Sequence, residues 1–281
     1  MSIEERRRRT ARMNILITAG GTTEKIDDVR GIANTGTGRL GALIAKRFAD
    51  AREVERVFYV CSARAARPSD EKIEIIVADD TRSLERTIID LCASRRVDAI
   101  IHSMAVSDYR VRTVSTSLEI GKSVAEKLRE NDSARAQNDA SDAASVPALI
   151  ARAVTETPSI ASGGKISSGL DDMVVVLERT PKIIALFRKL SPGAVLVGFK
   201  LLANASEETL MRAAYDLLKK NDCDCVLAND LRDIGEGKHI GRLIDAERTY
   251  TAHDGKEAIA EAIVRAVFAS ERLRGRDARQ V

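Results

Sequence analysis

The sequence predicts an α/β fold with a Rossmann-like, doubly wound and mainly parallel sheet, and a small β-like addition near the C-terminus. Three observations lead to this prediction. Short apolar runs recur along the chain, helical stretches lie between most of them, and two short β-like segments follow at 239–244 and 249–252. The chain has 281 residues, which is long enough to bury a full core.

The predicted elements alternate along the chain, and this alternation favours a parallel sheet with helices on both faces. The predicted strands lie at 14–19, 57–60, 73–77, 99–101, 194–199 and 225–228. The predicted helices lie at 39–50, 81–95, 206–221 and 256–272. The helix at 206 begins with Ser-Glu-Glu-Thr, a favourable cap with acids in the first turn.

The domain organisation predicted from composition is a single Rossmann-like domain over 14–272. Basic tails, expected to be disordered, precede it at 1–13 and follow it at 273–281. Between about 131 and 160 the chain is rich in Ala, Ser, Asp and Asn with little apolar periodicity, which is typical of a poorly ordered insert. We expect this insert to carry no catalytic residue.

Composition and charge exclude several classes of function. The net charge is only +3, and no aromatic residues interleave the terminal arginines as stacking platforms, so we expect no nucleic-acid partner. No apolar run is long enough to span a bilayer, and no signal peptide is recognisable, which predicts a cytoplasmic protein without membrane contact. The four cysteines lack CxxC spacing and are expected to be reduced.

The most informative segment runs from Gly20 to Gly41, where a strand end leads through a polar loop into glycine-rich sequence at a helix start. Backbone N–H groups at a helix N-terminus favour anions. The glycines at 36, 38 and 41 have no side chains that would keep a phosphate away from these groups. Arg39 could add positive charge there. The segment therefore predicts an anion site.

The same glycines match GxGxxG, so an NAD(P)-dependent oxidoreductase is an alternative hypothesis. Two features weaken it. Gly36 comes about fifteen residues after Gly21, whereas the fingerprint needs its first glycine directly after the strand. Residues 60–63, Val-Cys-Ser-Ala, offer no acid for a ribose at the end of the second strand. Tyr215 and Lys219 have the spacing of a reductase pair, but such a pair also arises by chance on amphipathic helices.

Several longer motifs carry a resemblance to phosphopantothenoylcysteine synthetase, most closely to the free-standing form of streptococci and their relatives. These motifs are ILITAGGTTEKIDDVRGIANTGTGRLG at 15–41, IIHSMAVSDY at 100–109, KISS at 165–168, LERTPKII at 177–184, VGFKLL at 197–202 and VLANDL at 226–231. They occur in the family's order and cover nearly everything from Asn14 to about Val267. IHSMAVSDY is much more specific than any glycine pattern.

The resemblance implies a ligase that joins 4′-phosphopantothenate to L-cysteine in coenzyme A biosynthesis. The family usually consumes CTP, less often ATP, and passes through an acyl-nucleotide intermediate. It also implies Mg²⁺, held mainly by the nucleotide phosphates, and a homodimer. The second hypothesis, besides the oxidoreductase, is a noncatalytic nucleotide-binding protein that retains the fold.

The resemblance also assigns candidate residues by position. Asn34 matches the asparagine associated with the acyl-nucleotide intermediate, and Arg30 beside it is expected to bind substrate. Lys165 matches the lysine expected on a flap over the nucleotide, suited to stabilising the α-phosphate. The nucleotide-binding candidates are Gly36, Gly38, Gly41, Met104, Asp108, Lys165, Pro181, Lys182, Ile183, Phe199 and Lys220. Lys182 stands where the family has an acid, and Lys220 is one residue away from a family position.

Two departures from the family pattern concern lysines. Fused bacterial enzymes carry two nucleotide-binding lysines on the helix before the LANDL-like strand, but here those positions are Leu217 and Asn221. Lys220 lies one residue away, and its flexible side chain keeps it as a candidate. Lys200 replaces a small family residue in GFKLL, which places a cation beside the expected base pocket.

Overall fold

A computed structural model describes residues 12–136, 145–161, 163–235 and 237–273. The chain divides into two compact units. Among the described residues, the sheet unit comprises 12–22, 34–106, 182–235 and 237–273, and the small unit comprises 23–33, 107–136, 145–161 and 163–181. Within the predicted single domain over 14–272, the residue contacts thus fall into two compact groups.

The bounds of the secondary-structure elements follow in chain order. The strands are β1 (Met13–Ala19), β2 (Thr23–Lys25), β3 (Gly31–Ala33), β4 (Val54–Cys61), β5 (Ile73–Val77), β6 (Ala99–His102), β7 (Tyr109–Ser115), β8 (Val174–Arg179), β9 (Val195–Leu202), β10 (Cys225–Asp230), β11 (Ile234–Gly235), β12 (Lys238–Asp245) and β13 (Tyr250–Asp254). The helices are α1 (Arg39–Asp50), α2 (Thr81–Ser94), α3 (Ser117–Ala136), α4 (Val146–Glu156), α5 (Ile184–Leu190), α6 (Glu207–Asn221) and α7 (Lys256–Ala269). All six strands and all four helices predicted from the sequence are present.

Nine strands of the described residues form the sheet of the sheet unit, in the order β11-β12-β10-β9-β6-β1-β4-β5, with β13 paired to β12. Every neighbour pair from β5 to β10 is parallel, whereas β11, β12 and β13 pair antiparallel. This confirms the predicted α/β class. The C-terminal β-like addition is the antiparallel edge of the same sheet.

Helices cover both faces of this sheet because apolar side chains project from each face of its buried strands. One core cluster includes Ile44 and Phe48 of α1 with Ile263 of α7. The cluster on the other face includes Leu84 of α2 and Phe187 of α5. Each fully buried side chain of this size contributes about 1.5–3 kcal/mol. Both clusters together fix the strands that end at the candidate site.

The strand order reverses at β1, whose neighbours are β4 on one side and β6 on the other. Ligands of such sheets bind beyond the carboxyl ends of the strands at this reversal. Two backbone bonds continue the contact past the strand ends, from Ala105 N to Gly20 O at 2.9 Å and from Thr22 N to Ala105 O at 3.1 Å. The reversal point is therefore built from residues around 20–22 and 103–105.

The small unit consists of two antiparallel strand pairs, β2-β3 and β7-β8, and the helices α3 and α4. The sequence predicts a poorly ordered insert at about 131–160, but much of this range is helical. Residues up to Ala136 belong to α3, and α4 buries Leu149 and Ala153. The apolar residues of α4 are spaced four apart, so they share one helix face. Residues 137–144 lie outside the described chain.

Most of each predicted basic tail also lies outside the described residues, at 1–11 and 274–281. Met13, assigned to the N-terminal tail, is the first residue of β1, and Leu273 packs beside the core of the sheet unit. Within the described part of the chain, no helix is both long and apolar enough to cross a membrane.

Candidate functional site

Asn34 lies at the point of strand reversal in the sheet unit. Its side-chain Nδ2 donates to Ala105 O at 3.1 Å, and its backbone N donates to Thr22 O at 3.0 Å. These two bonds tie the residue to the chain beyond β1 and to the chain beyond β6. The structure therefore places Asn34 where ligands of this sheet topology bind.

Glycines around Asn34 permit close backbone contacts. A Cβ on Gly21 would lie 2.3 Å from Asn34 O, and one on Gly36 would lie 2.6 Å from Gly20 O. A Cβ on Gly41 would lie 2.6 Å from Ala19 Cβ. The sequence predicts that Gly36 and Gly41 leave space for a phosphate. The structure adds a packing reason, since their missing side chains would meet protein atoms.

The N-terminus of α1 has the electrostatic character predicted for an anion site. Gly38 caps the helix with φ 70° and no side-chain hydrogen bond, and the first turn contains no acidic residue. Arg39, its first residue, is exposed. The positive end of the helix dipole is therefore not offset by a nearby carboxylate of the helix itself.

Two further candidates occupy the carboxyl edge of the same sheet. Met104 directly follows Ser103 at the end of β6 and is 6% exposed. Phe199 lies two residues beyond Val197, which pairs with Ile101 of β6, and is half-buried. Met104 belongs to one apolar core cluster and Phe199 packs against the other. Core packing alone therefore accounts for an apolar residue at each position, whether or not it also contacts a ligand.

The adjacent candidates Lys182 and Ile183 differ in exposure. Ile183 is 2% exposed and packs in the same core cluster as Met104, whereas Lys182 is exposed before α5. The buried isoleucine therefore anchors the segment, and the lysine is the member of the pair that can meet solvent or a ligand.

Lys220 is not brought to this edge. Helix α6 starts after the carboxyl end of β9 and runs to Asn221, just before β10 begins at Cys225. Lys220 is in its last turn, and fifteen helical residues span about 22 Å. The structure therefore places this lysine at the amino edge of the sheet, opposite Asn34.

His102 is a buried polar residue of this region that no sequence motif singles out. Its Nδ1 lies 2.7 Å from Thr18 Oγ1, and its ring packs edge-on against Phe187 at 5.1 Å. Burial lowers the pKa of His102 to about 4, so the ring is neutral at neutral pH. Thr18 Oγ1 also accepts from Met104 N at 3.4 Å. The only sequence signal was a histidine ending an apolar strand.

In the small unit, Lys165 is exposed on a loop of residues 163–166, here called the Lys165 loop. Its neighbours on both sides are bound by the turn of residues 26–30 between β2 and β3, here called the Asp27 turn. Gly164 N donates to Asp28 Oδ2 at 2.8 Å, and Ile166 N donates to Asp27 Oδ2 at 3.1 Å. The backbone on each side of Lys165 is thus fixed by a carboxylate.

Arg30 completes the Asp27 turn. Its Nε and Nη2 donate to Asp27 Oδ2 at 2.9 and 2.6 Å, and Nη2 also donates to Ile166 O at 3.1 Å. This guanidinium holds the pKa of Asp27 well below its usual range. The side chain of Arg30 remains 39% exposed. Its observed contacts are structural, and a substrate contact stays a prediction.

Asp108 and Pro181 lie at the same end of the β7-β8 pair. Thr180, next to Pro181, donates its N to Asp108 O at 3.0 Å and its Oγ1 to Ser107 O at 2.5 Å. Asp108 and Pro181 are both exposed. The structure therefore brings these two predicted residues together within the small unit.

A cavity of about 650 Å³ in the sheet unit was not predicted. It is lined by Asn204, Ala205, Ser206, Glu207, Leu210, Asp230, Arg232, Asp233, Lys238 and Arg242. Arg232 pairs with Asp230 at 3.0 Å, and Lys238 pairs with Asp233 at 3.0 Å. The three cations match three carboxylates, so the lining offers no excess charge for an ionic ligand.

The described residues offer little support for a dinucleotide ribose site. At the end of β4, Ala63 N donates to Asp79 Oδ1 at 2.7 Å, so the carboxylate near this point is already bound to backbone. Among the described residues there is also no group of three or more His, Cys, Asp or Glu side chains placed to hold a metal ion.

Comparison with known proteins gives a family match over most of the chain. Residues 10–133 and 134–270 match the family described as DFP, the DNA/pantothenate metabolism flavoprotein C-terminal domain. The chain is 30% identical over 221 residues to the coenzyme A biosynthesis bifunctional protein CoaBC of Thermococcus kodakarensis, covering 79% of this chain and 42% of that protein. The corresponding protein of Methanocaldococcus jannaschii is 25% identical, with 77% and 40% covered. The chain thus spans about two fifths of these relatives.

Solved structures agree with this match. The DNA/pantothenate metabolism flavoprotein from Streptococcus pneumoniae has a TM-score of 0.72 and 29% identity, covering 92% of this chain and 99% of that one. A Cab2 mutant in complex with phosphopantothenate-cysteine has a TM-score of 0.65 at 17% identity, covering 99% and 92%. At that identity the second likeness concerns the fold alone.

Proposed function

Because the chain belongs to the DFP family, the DNA/pantothenate metabolism flavoprotein C-terminal domain, we propose that it joins 4′-phosphopantothenate to L-cysteine in coenzyme A biosynthesis. The family match over residues 10–133 and 134–270 is the observation that carries this proposal. The 30% identity to a bifunctional protein of coenzyme A biosynthesis supports it, as do the motifs around Asn34 and Lys165.

The proposed reaction has two steps. A carboxylate is a poor acyl donor, so its oxygen first attacks the α-phosphate of CTP, which forms an acyl-nucleotide and releases pyrophosphate. The amine of cysteine then attacks the acyl carbon and displaces CMP. The first step joins two anions, and it needs positive groups that offset the charge of the crowded phosphoryl group.

In the sheet unit, the proposed roles follow from the point of strand reversal. Asn34 holds the acyl-nucleotide, since an amide both donates and accepts without adding charge. The N-terminus of α1, with Gly36, Gly38 and Arg39, favours the phosphates through its dipole and exposed arginine. Met104, Lys182 and Phe199 are proposed to surround the base, with buried Ile183 anchoring the segment of Lys182 and Lys200 affecting base choice.

In the small unit, Lys165 is proposed to stabilise the charge that develops on the α-phosphate. It is exposed, and a lysine ammonium acts there as a compact point charge. Arg30 is proposed to bind phosphopantothenate through the exposed part of its side chain. Asp108 and Pro181, which lie at one end of the β7-β8 pair, are proposed to contact the nucleotide.

Magnesium is proposed to arrive with the nucleotide. Mg²⁺ keeps several water ligands and is usually bound through substrate phosphates with one or two carboxylates, so phosphate oxygens are proposed as its main ligands here. When bound, Mg²⁺ would offset phosphate charge and favour departure of pyrophosphate.

A homodimer is proposed as the working form. The small unit exposes large apolar side chains on its paired strands, including Tyr109 at 49% and Leu177 at 41%. Exposed apolar groups of this kind are typical of protein interfaces. Light scattering at working concentration would test this proposal, and a monomer would contradict it.

The proposed function is tested by pyrophosphate release with CTP, ATP, GTP and UTP in parallel. We expect release with CTP only when 4′-phosphopantothenate is present, and ligated product only after cysteine is added. Preference for ATP would correct the nucleotide alone. Absence of pyrophosphate with all four nucleotides would contradict the ligase, leaving an oxidoreductase or a noncatalytic nucleotide-binding protein.

A further inference from the structure

The Asp27 turn and the Lys165 loop are distant in sequence but joined by hydrogen bonds within the small unit. Asp27 and Ile166 are 139 positions apart, and Asp28 and Gly164 are 136 apart. Four bonds connect the two segments. They are Ile166 N to Asp27, Gly164 N to Asp28, Asp28 N to Gly164 O at 3.4 Å, and Arg30 Nη2 to Ile166 O.

The loop conformation itself depends on glycine. Gly163 and Gly164 have φ of 102° and 81°, which L side chains rarely adopt, and a Cβ on either would meet no atom within 4 Å. The glycines therefore serve the backbone path and not close packing. With open space around them, the loop owes its position to bonds from other segments.

The Asp27 turn has the properties of a rigid support. The side chain of Asp27 is fully buried, and it accepts from Val29 N at 2.9 Å and Arg30 N at 2.6 Å besides its bonds to Arg30 and Ile166. A carboxylate that accepts several N–H groups forms strong, charge-assisted bonds. Asp28, in contrast, is exposed and holds Gly164 alone.

We propose that Asp27 and Asp28 are positioning residues of the ligase reaction, which hold the backbone on both sides of Lys165 and so fix where its ammonium group meets the nucleotide. This inference rests on the proposed function. Asp27 fixes the residue after Lys165, and Asp28 fixes the residue before it. Lys165 is then free to move only through its own side-chain torsions.

Asp28→Ala is the most informative variant, because Asp28 is exposed and its loss removes one side-chain bond without opening the core. We expect kcat to fall about 10-fold with an unchanged KM for cysteine, since misplacing a catalytic group slows the chemical step. We also expect trypsin cleavage after Lys165 to rise on the order of 10-fold, because loss of a charge-assisted bond increases local opening. Asp28→Glu, which keeps a carboxylate, should recover part of both effects.

Asp132→Ala is the matched control, an exposed acid on α3 of the same unit. It should change neither kcat nor cleavage after Lys165. A double-mutant cycle then asks whether Asp28 acts through the lysine. In a Lys165→Ala background, adding Asp28→Ala should lower kcat by less than about 2-fold.

The outcomes separate the two proposals. A wild-type protein that forms no ligated product with any nucleotide overturns the proposed function. An active wild type in which Asp28→Ala changes neither proteolysis nor kcat overturns the positioning role alone. A full 10-fold loss that persists without Lys165 also overturns it, because Asp28 would then act on something other than the lysine.

Discussion

The sheet unit and the small unit hold their candidate residues by different means. In the sheet unit, Asn34 rests on backbone atoms that approach closely because Gly21 has no side chain. In the small unit, the neighbours of Lys165 rest on the carboxylates of Asp27 and Asp28. The first arrangement is sensitive to added volume and the second to lost charge. Changes of each kind should therefore affect the two units differently.

The largest expected effect comes from Lys165→Ala. Removing a positive group that meets developing charge should lower kcat/KM about 100- to 1,000-fold, or ~3–4 kcal/mol in transition-state stabilisation. Steady-state pyrophosphate release would measure it. Lys220→Ala is the control, because Lys220 lies at the amino edge of the sheet. A comparable loss in that variant would contradict the placement of the site at the carboxyl edge.

Gly21→Ala should give the next largest effect, this time on stability. The added Cβ would lie 2.3 Å from Asn34 O, a backbone atom that can move only with its segment. We expect a loss of ~3 kcal/mol in the free energy of unfolding, measured by urea titration. An unchanged urea midpoint would show that the backbone around Asn34 moves to accommodate the added methyl group with no loss of stability.

His102 predicts an acid sensitivity of the sheet unit. Its folded pKa of about 4 lies below the ordinary value near 6.5, so the unfolded chain binds a proton that the folded chain does not. The stabilisation is present above pH 6.5 and is lost as pH falls toward 4, by about 2 kcal/mol between pH 7 and pH 5. Urea titrations at both pH values would measure the loss. His102→Gln should remove most of this difference.

Asp27 predicts that its contacts in the small unit, unlike the stability contributed by His102, do not change between pH 7 and pH 5. Because Arg30 holds its pKa well below the usual range, the carboxylate stays charged at pH 5, and its contribution is lost only in stronger acid. Hydrogen exchange at Ile166 N should thus show similar protection at pH 7 and pH 5 after correction for intrinsic rates. A marked loss at pH 5 would show that Asp27 takes up a proton in that range.

The smallest expected effect is a gain in the free energy of unfolding. Gly121 lies inside α3 of the small unit, and a Cβ there would meet no atom within 4 Å. Gly121→Ala should stabilise the protein by ~0.5–1 kcal/mol, since glycine in a helix interior costs about that much. Urea titration beside Gly21→Ala would give opposite signs for the same substitution in the two units. Destabilisation by Gly121→Ala would contradict the open environment of α3.

The sequence predicts the two units unequally, for physical reasons. The central part of β1 and residues 57–61 of β4 are apolar runs because both their faces are buried, and this pattern can be recognised in the sequence. The strand β2 has only three residues, Thr-Glu-Lys, and α3 is largely polar, so neither has a clear apolar period. For the small unit, the sequence therefore predicts only a polar loop after Gly21 and a poorly ordered insert at about 131–160.

The features of the candidate site also differ in how well the sequence predicts them. Asn34 is singled out by the family resemblance, and its place between a strand end and a glycine-rich helix start agrees with that assignment. The bond from Ile166 N to Asp27 joins positions 139 residues apart, and no local pattern indicates such a pair. Lys220 is the converse case, since the family resemblance makes it a candidate although it lies one residue out of register, and the helix direction places it at the other edge.

The burial of the native cysteines has a practical consequence for labelling. Cys61, Cys223 and Cys225 are buried, Cys92 is half-buried, and burial raises the pKa of all four thiols, so little reactive thiolate is present at neutral pH. A thiol introduced at exposed Ser167, beside the Lys165 loop, would react with little competing labelling of the native cysteines. The wild-type chain thus already serves as a nearly cysteine-less scaffold for a fluorescent reporter.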